Sequence, residues 1–435
     1  MSFSRLSQLS SSLSFGAYQT LYGLAILTSG FVLPVLEKRS KRVGEGFTDY
    51  LGYLPLPPDD RPLIWVHGVS LGESLVASGI MQALRTSYPH LALGFTTTHP
   101  DVLATIKKRD LATVSGYYPL DFLPIIQRTF NRWAPRAILI TETDFWPGLA
   151  WMCARKSIPL ILLNGRISGK LEQFYTLFRS VGTRLFSAFA LLGVQTQLDA
   201  QRLERMGAPR SKIRVLGNVK VDLPAGKNGD IPEKIQLWLG TDELLIFGSM
   251  HPTEFEAFLS SFPRLLGGSG RKLLIAPRNL ANVEPWMQRL ETAGISVGRR
   301  SQLGSCHPIE ASKILLLDTM GELASLYKLG SAVFVGGSLD PFVGGHNPIE
   351  AMQQGIPVLM GPHTRNFADL VEDLTTNQGL RIVQSSEDLC EAVQCWRNHP
   401  ETVHEQVEKG YSVLRKHQGA LHRSIEMLSE LLPKA

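Results

Sequence analysis

Short apolar runs alternate with longer amphipathic stretches through most of the chain beyond residue 60. The runs are rich in leucine and β-branched residues and contain few polar interruptions, which is typical of strands buried on both faces of a parallel sheet. Stretches with helical periodicity, such as 73–88 and 199–206, separate them. The pattern predicts an α/β protein with doubly wound parallel sheets. The predicted strands are 63–68, 92–98, 114–120, 136–143, 159–165, 190–196 and 213–218 in the first half, and 244–249, 271–277, 313–318, 331–337 and 356–361 in the second.

Changes in composition divide the chain into five segments. Proline and glycine cluster between charged residues around 221–241, which is typical of a linker. We therefore predict an N-terminal segment, a first domain, a linker, a second domain and a C-terminal helical segment, with the bounds 1–42, 43–222, 223–242, 243–400 and 401–435. Parallel-sheet domains bind ligands at the carboxyl ends of their strands, so a cleft between two facing sheets is the expected site.

The N-terminal segment has the pattern of a membrane anchor. No charged residue occurs from residue 6 to residue 36, and the window 17–36 has the length of about 20 residues that a bilayer core requires. A basic run at 38–42 follows, whereas only Arg5 precedes it, so the positive-inside rule places the rest of the chain on the cytoplasmic side of the membrane. Polar residues interrupt the apolar window, and an amphipathic helix lying in the membrane plane is the alternative. A cleaved signal peptide is disfavoured because the positive charge follows the apolar run.

Composition narrows the function classes only slightly. The 435 residues are 44% apolar and 19% charged, which suits two packed domains and excludes wholesale disorder. A net charge of +5 is compatible with anionic substrates or an anionic membrane surface, and it is too small to indicate a nucleic-acid partner. The four cysteines form no CxxC pair, which indicates reduced thiols rather than a zinc site.

Candidate chemistry in the first half follows two predicted strands. Glu73 lies in the first turn of a predicted helix, where the helix dipole favours a carboxylate anion. An ionised glutamate there could act as a general base for a hydroxyl nucleophile, or it could be an ordinary first-turn residue. Glu142 and Asp144 precede Trp146 and Pro147. They could belong to the same site, or they could cap a helix that begins at Pro147.

Three strand ends in the second half indicate a nucleotide site. Arg278 could pair bidentately with a phosphate, and Gly321 lets a ligand approach the backbone amides of a helix start. A glycine-rich stretch from 336 ends at Glu350, whose carboxylate could bind ribose hydroxyls. The chain has no Asp-x-Asp, no GxxxxGK[ST] and no GxGxxG after its first strand. These absences disfavour a metal-dependent nucleotide-sugar enzyme, a P-loop protein and a dinucleotide oxidoreductase.

Seven motifs, in this order along nearly the whole chain, resemble the lipid A Kdo transferases. These are membrane-attached enzymes that move 3-deoxy-D-manno-octulosonic acid (Kdo) from CMP-Kdo to a lipid A precursor. The resemblance implies the GT-B fold, with two Rossmann-like domains facing a deep cleft, and an inverting reaction without metal or other cofactor in lipopolysaccharide core biosynthesis. The motifs are HGVSLGES (67–74), TETDFWP (141–147), GNVKVD (217–222), GSMHPTE (248–254), APR (276–278), DTMGEL (318–323) and VGGSLDPFVGGHNPIEAMQQGIPVLMGPHTRNF (335–367).

The resemblance also implies a role for each matching residue. Glu73 corresponds to the family's proton acceptor, and Glu142 and Lys220 to the groups that stabilise the transition state. The residues implied to bind the CMP of the donor are Pro277, Arg278, Met320, Gly321, Glu322, Asn347, Pro348, Ile349 and Glu350. The chain departs from the usual family residues at Gly68, Asp144, Phe145 and Asn279.

The implied partners are CMP-Kdo, a tetraacylated lipid A precursor and the anionic lipid of the inner membrane, which the basic run 38–42 suits. Two other functions remain open. One is a different GT-B enzyme that uses a uridine nucleotide, which a comparison of cytidine and uridine binding would distinguish. The other is a tethered two-lobed sugar-binding protein without chemistry, which the charge asymmetry of the N-terminus opposes. The number of Kdo residues transferred is also open.

Overall fold

The computed structural model describes residues 16, 18–20, 23–24, 46–69, 71–224, 233–267, 270–303 and 311–434, without the side chains of 71–73. The chain forms two compact units. The first comprises Met1–Leu223 together with His417–Ala435, and the second comprises Pro224–Lys416. Within the residues that the structure describes, each unit contains one sheet of seven strands, and all the strand pairs are parallel. The prediction of two parallel-sheet domains is confirmed.

The sheet of the first unit has the strand order β3-β2-β1-β4-β5-β6-β7. From β1 the chain proceeds outward to β3 and then returns to β4, which pairs with the other edge of β1. The carboxyl ends of β1 and β4 therefore flank the topological switch point, where doubly wound folds bind ligands. The strands are β1 (Leu63–His67), β2 (Ala92–Thr97), β3 (Val114–Tyr117), β4 (Ala137–Thr141), β5 (Leu160–Gly165), β6 (Phe189–Val194) and β7 (Ile213–Val215).

Helices cover both faces of this sheet. Successive side chains of a strand point to opposite faces, and both sets are buried here. Trp65 of β1 belongs to one core cluster, and Ile64 and Val66 belong to another. Burial on both faces explains why the strand sequences are continuously apolar rather than alternating. The helices are α1 (Phe47–Tyr50), α2 (Leu71–Ser87), α3 (Pro100–Lys108), α4 (Leu123–Trp133), α5 (Pro147–Lys156), α6 (Gly169–Leu177), α7 (Arg179–Ser187), α8 (Gln197–Arg205) and, from the end of the chain, α18 (Ala420–Leu428).

The sheet of the second unit has the order β10-β11-β9-β8-β12-β13-β14. Its switch point lies between β8 and β12, because the chain leaves β8 toward β9 and later returns to β12 on the other side. The strands are β8 (Glu243–Met250), β9 (Arg271–Pro277), β10 (Val297–Arg299), β11 (Ile314–Leu316), β12 (Ala332–Val335), β13 (Val358–Met360) and β14 (Arg381–Ile382). The helices are α9 (Glu233–Leu239), α10 (Pro252–Leu259), α11 (Phe262–Leu266), α12 (Val283–Thr292), α13 (Leu323–Leu326), α14 (Ile349–Met352), α15 (Ala368–Thr376), α16 (Ser386–Asn398) and α17 (Pro400–His417).

The C-terminal region differs from the single helical segment predicted for 401–435. It contains two helices, α17 and α18, which are separated by Gly419 with a left-handed φ of +79°. Asp222 accepts hydrogen bonds from the backbone N–H groups of Gly419 (2.8 Å) and Leu421 (2.7 Å). Arg423 donates to the carbonyl of Leu216. The last helix therefore packs on the first unit, and the predicted linker 223–242 contains helix α9, whose Trp238 is buried.

The predicted anchor 1–42 lies mostly outside the described residues. Within the part of the chain that the structure does describe, no helix combines the length and apolarity needed to cross a bilayer. Two residues of the predicted apolar window contact the first unit. The Tyr18 hydroxyl donates to Asp121 Oδ2 (3.0 Å), and the Gln19 side-chain amide donates to the Asp121 carbonyl and accepts from the Leu123 N–H. The structure thus does not support a spanning helix, and it docks this part of the window on the first unit.

Candidate functional site

A buried ion pair lies at the carboxyl edge of the first sheet. Glu142 follows β4 directly, and its Oε1 is 2.6 Å from the Nζ of Lys220, with side chains 7% and 13% exposed. Glu142 has a left-handed φ of +64°, a strained conformation for a residue with a side chain and one that is concentrated at functional sites. Lys220 lies in a short 3₁₀ helix after β7, and Asn164, at the end of β5, fixes this helix by accepting from the Val219 N–H (2.9 Å). The fold therefore brings together two residues that are 78 positions apart.

Helix α2, which carries Glu73 as its third residue, packs next to this pair. Gly79 of α2 lies against Leu223, so close that a β-carbon on Gly79 would be 2.3 Å from Leu223 Cδ2. The missing side chain allows α2 to approach the segment that follows Lys220. The backbone of Glu73 thus lies in the first turn of a helix at the switch point, as predicted. Its role as a proton acceptor stays a prediction, because its side chain is outside the described part.

A histidine–aspartate contact that the sequence did not predict lies on the same edge. His67 ends β1, and its Nε2 is 3.1 Å from Oδ2 of Asp144. The other ring nitrogen of His67 is 3.0 Å from the hydroxyl of Thr96, which accepts a hydrogen bond from Trp65. The His67 ring also lies 4.2 Å from the ring of Tyr118. This chain of buried partners fixes Asp144 two residues after Glu142. His67 and Asp144 both lie in motifs that the sequence analysis identified, but nothing in the sequence indicated that the two side chains are in contact.

Asp121 caps helix α5, which follows the Glu142 turn. Its carboxylate accepts hydrogen bonds from the N–H groups of Gly148 (2.6 Å) and Leu149 (2.8 Å). Burial raises the pKa of Asp121 to about 7, and these hydrogen bonds oppose the rise. The helix begins at Pro147 as predicted, yet neither Glu142 nor Asp144 caps it. Both carboxylates therefore remain for another use, which favours the site interpretation over the capping alternative.

An apolar cavity of about 800 Å³ lies next to the turn that contains Glu142 and Asp144, and all its lining residues belong to the first unit. Helices α5, α6 and α7 contribute most of its walls, and two arginines, Arg155 and Arg184, are part of the lining. The guanidinium of Arg155 lies over the ring of Trp151 at 5.2 Å. At the cavity, α6 and the residue after it expose large apolar side chains to solvent: Phe174 (54%) and Phe178 (47%), which line the cavity, and Leu177 (78%), which does not. The other lining residues include Tyr18, Phe145, Trp146, Pro147 and Tyr175.

The residues predicted to bind the donor nucleotide follow the carboxyl ends of β9, β11 and β12. They therefore lie on the same side of the second sheet, the side formed by the strand ends. Pro277 is the last residue of β9, and the Arg278 N–H donates to the Met250 carbonyl (2.9 Å) at the end of the neighbouring strand β8. The turn after β11 contains Gly321 with a φ of +87° and Met320, whose side chain is 76% exposed. The structure therefore gathers the residues that the resemblance implies, although their contacts with CMP remain predictions.

Internal hydrogen bonds hold the two remaining donor motifs in place. Arg300 pairs with Glu322 at 3.0 Å, and Thr319 also bonds the Glu322 carboxylate. Asn347 donates to Glu350 (3.1 Å) and accepts from the N–H of Ile349 (3.1 Å). Ile349 has a fully buried side chain and follows Pro348, the N-cap of α14. Ile349 can therefore offer a ligand only its backbone, while Asn347 and Glu350 present polar side chains.

A second buried carboxylate, which the sequence did not single out, organises the glycine-rich loop after β12. Glu254, 1% exposed, accepts hydrogen bonds from four backbone N–H groups. One belongs to His251 (3.0 Å), and the others belong to three consecutive loop residues, Gly337 (2.8 Å), Ser338 (2.9 Å) and Leu339 (3.0 Å). Four donors to one carboxylate join the loops after β8 and β12 into a single frame. Within the described residues, no group of three or more His, Cys, Asp or Glu side chains could hold a metal ion.

Sequence comparison finds the same family that the motifs resemble. A family model described as 3-deoxy-D-manno-octulosonic-acid transferase (kdotransferase) matches residues 41–223. A 3-deoxy-D-manno-octulosonic acid transferase of Haemophilus influenzae is 31% identical over 407 residues, which are 91% of this chain and 92% of that protein. The protein of the same name from Chlamydia trachomatis serovar D is 28% identical over 381 residues, with 86% and 87% covered.

Structural comparison supports the same fold class. The structure of S. aureus MnaA with UDP covers 86% of this chain and 98% of its own, with a TM-score of 0.57 and 15% sequence identity. At that identity the likeness concerns the fold alone, which is GT-B-like with two parallel-sheet domains. The extensive identity with the Haemophilus protein settles the family, and it confirms the predicted enzyme class, a glycosyltransferase. The chain belongs to the 3-deoxy-D-manno-octulosonic acid transferases.

Proposed function

We propose that this protein transfers Kdo from CMP-Kdo to a tetraacylated lipid A precursor (lipid IVA) in lipopolysaccharide core biosynthesis. The observation that carries the proposal is the buried Glu142–Lys220 pair, held at a strained strand end beside the helix that bears Glu73. A carboxylate and an ammonium fixed at a switch point suit a reaction in which charge develops on a sugar.

The proposed reaction is a single displacement with inversion. Glu73 takes the proton from a primary hydroxyl of the acceptor's glucosamine, and that oxygen forms a bond to the anomeric carbon of Kdo. The bond from this carbon to the phosphate oxygen of CMP breaks at the same time, and its electron pair leaves with CMP. Lys220 compensates the Kdo carboxylate or the developing negative charge, and Glu142 holds the lysine in position. A general base of this kind contributes roughly 10²–10⁴-fold to the rate.

The donor nucleotide is assigned to the second unit. Arg278 suits the phosphate because a guanidinium pairs bidentately with phosphate oxygens. The backbone around Gly321 has no β-carbon in the way of a ligand, and nothing lies within 4 Å of the position that one would take. Asn347 and Glu350 then bind the cytidine part. We propose that the reaction needs no metal, since the chain has no Asp-x-Asp pair, and that turnover therefore survives a chelator.

The acceptor's acyl chains are assigned to the cavity of the first unit. Its volume of about 800 Å³ and aromatic lining suit hydrocarbon, while Arg155 and Arg184 suit the phosphates of the same lipid. Phe145, Trp146 and Pro147 line the cavity, and Glu142 is only three residues before Phe145 in the chain. An acyl chain in this cavity would thus hold the sugar of the acceptor close to the Glu142 turn.

We also propose attachment to the cytoplasmic face of the inner membrane, with the N-terminal segment lying along the surface. The contacts of Tyr18 and Gln19 with Asp121 support the in-plane alternative over a spanning one. Phe174, Leu177 and Phe178, exposed at the cavity, would contact the lipid, since large exposed apolar patches mark interaction surfaces. The basic run 38–42 suits anionic headgroups.

Mass spectrometry of the lipid product tests the function directly. The purified protein is incubated with CMP-Kdo and a tetraacylated lipid A precursor in detergent, and a mass increase of one or more Kdo residues is expected. The count gives the number of transfers. A protein that binds UMP in preference to CMP and leaves the lipid unchanged would overturn the proposal in favour of a uridine-nucleotide enzyme.

The acyl-chain assignment has a separate test with a matched control. Phe178→Asp should raise the KM for the tetraacylated acceptor and leave the KM for a deacylated acceptor unchanged. Leu237→Asp places the same charge on another exposed apolar residue, 72% exposed in helix α9 of the second unit, and should change neither value. Equal effects of Phe178→Asp on both acceptors would contradict the assignment.

A further inference from the structure

Two histidines that no predicted role includes are in contact at the switch point of the second sheet. His251 follows β8, and His346 lies in the glycine-rich loop after the neighbouring strand β12. Their Nε2 atoms are 2.9 Å apart, the ring centroids are separated by 5.1 Å, and the ring planes are inclined to each other by only 15°, so the two rings meet end to end. A distance of 2.9 Å between two nitrogens is that of a hydrogen bond, so the two imidazoles share one proton between their Nε2 atoms.

The shared proton determines the tautomers of the neutral pair. One ring must donate from Nε2 and therefore has a bare Nδ1, and the other ring accepts at Nε2 and must carry its proton on Nδ1. His251 is the N-cap of helix α10, where its side chain and that of Glu254 form a capping box with the backbone of the first turn. A capping side chain accepts from the helix N–H groups, so His251 has the bare Nδ1. His346 is then the ring that carries a proton on Nδ1.

The surrounding frame holds this arrangement rigidly. Glu254 binds the backbone of His251 and of three residues in the loop that leads to His346. Gly337, with a φ of +70°, lies against the edge of the His346 ring that carries Cδ2 and Nε2, where a β-carbon would be 2.9 Å away. The edge that carries Nδ1 faces elsewhere, and no residue in the described part of the chain forms a hydrogen bond to Nδ1.

The positive charges near His346 favour its neutral form, and the same charge on Arg278 favours an anionic ligand. Burial, the positive charge of Arg278 and the neighbouring His251 lower the pKa of His346 to about 4. His346 is therefore uncharged at neutral pH, and it retains its N–H there. Asp340 lies near His251, and it accepts a hydrogen bond from Thr253 (2.9 Å). Arg278 is the guanidinium that the donor phosphate is assigned to, and its charge acts on the His346 ring, so a phosphate bound there would lie near that ring.

We propose that His346 Nδ1–H donates a hydrogen bond to an oxyanion of the donor nucleotide, and that His251 is a positioning residue that holds His346 in the required tautomer. The inference rests on the proposed function, in which CMP-Kdo is the donor. CMP-Kdo offers two oxyanions of this kind, the phosphodiester and the carboxylate of Kdo. Loss of a hydrogen bond to a charged group lowers affinity by roughly 10- to 100-fold.

Substitutions at His346 test which ring nitrogen matters. Asn places an N–H near the position of Nδ1, whereas Gln places one near Nε2. His346→Asn should retain donor binding, and His346→Gln and His346→Ala should weaken it by roughly 10- to 100-fold. The opposite order, with Gln active and Asn impaired, would overturn the proposal, as would an unchanged affinity in all three variants with the fold intact by circular dichroism.

Two ligands separate the possible oxyanions. The Kd of CMP is measured by calorimetry and the KM of CMP-Kdo by turnover. His346→Ala weakens both equally if Nδ1 binds the phosphate, and it weakens only CMP-Kdo if Nδ1 binds the Kdo carboxylate. Either result supports the proposal. A wild-type protein that fails to bind CMP would instead refute the proposed function itself, so the two failures are distinguishable.

The positioning role of His251 has a readout that does not depend on activity. Long-range ¹H–¹⁵N correlation spectra of the histidine-labelled full chain report the tautomer of each neutral ring. We expect His346 to carry its proton on Nδ1 in the wild type and to become a tautomer mixture in His251→Ala, together with a raised KM for CMP-Kdo and little change in kcat. A wild-type His346 protonated on Nε2 would overturn the proposal.

Discussion

Removal of Lys220 should leave the Glu142 carboxylate buried without its partner. The two charged atoms are 2.6 Å apart, and the side chains are 13% and 7% exposed. Loss of one partner of a buried ion pair costs about 3–5 kcal/mol because the remaining charge is uncompensated, whereas replacement of both partners is often nearly neutral. Lys220→Met and Glu142→Gln should therefore each destabilise the first unit by about 3 kcal/mol, near the lower limit because some exposure remains. The double variant should cost much less than the sum of the two.

Native-state hydrogen exchange can measure the loss of stability of the first unit separately from that of the second, with the backbone amides of β4 and β7 as reporters. An exposed ion pair of the same length provides the control. Arg289 and Glu256 are also 2.6 Å apart, but each is 53% exposed and screened by solvent, so the matching substitutions should leave the stability nearly unchanged. Turnover of CMP-Kdo is measured on the same variants, and it should fall in all three first-unit variants.

Two results would refute this reasoning. A cost below about 1 kcal/mol for Lys220→Met would mean that the pair behaves like an exposed one, and the argument from burial would be wrong. A double variant with wild-type turnover would mean that the pair stabilises the fold without contributing to the reaction. We expect the double variant to recover most of the stability that the single variants lose but not their turnover. A purely structural pair would also restore turnover, and a purely catalytic pair would not destabilise the single variants.

Three further predictions follow from the same unit. Glu73→Ala should leave the affinity for CMP-Kdo nearly unchanged and lower kcat by roughly 10²–10⁴-fold; lost donor binding with an intact fold would contradict the assigned role. Gly79→Ala would place a β-carbon 2.3 Å from Leu223 Cδ2 and so displace the end of that side chain, which should offset the roughly 1 kcal/mol that alanine gains over glycine in a helix; with Leu223→Ala present, the same substitution should raise the Tm in thermal unfolding. Burial raises the pKa of Asp121 to about 7, so its stabilising contribution is complete below about pH 4 and is lost as the pH rises to 7; Asp121→Asn should remove this slope from urea-unfolding data.

The apolar pattern predicted every strand that is buried on both faces, because such strands need continuous apolar sequence. The two strands that it missed, β10 and β14, are at the edges of the second sheet and have only three and two residues. They include Arg299 and Arg381, so no apolar run marks them. The break in the C-terminal helix was missed for a related reason. A single glycine is tolerated in a helix, and the contact that turns the chain there comes from Asp222, almost 200 residues earlier.

In the candidate site, too, the sequence identified single residues but not the contacts between distant parts of the chain. The motifs named Glu142 and Lys220 individually, but their pairing depends on three strand ends that only the folded sheet brings together. No role was predicted for Asp121, Glu254 or the His251–His346 pair, although the motifs contain the last three residues, because their contacts join segments that are far apart in the chain. Hydropathy also gave no indication of the contacts of the N-terminal window, where the Gln19 side chain bonds the backbone of Asp121 and Leu123.

The return of the chain to the first unit through α18 imposes an order on folding during synthesis. Ala420, Leu428 and Leu432 complete the core cluster that also contains Ile64 and Val66 of the central strand. The ribosome therefore releases the whole second unit before the first unit has its last core residues. Domains usually fold in the order of their synthesis, but here the unit made first must wait with all seven strands present and one face of its sheet incompletely covered. A shortened chain that lacks the final helix should be retained by chaperones, whereas Pro224–Lys416 is continuous in sequence and suited to expression on its own.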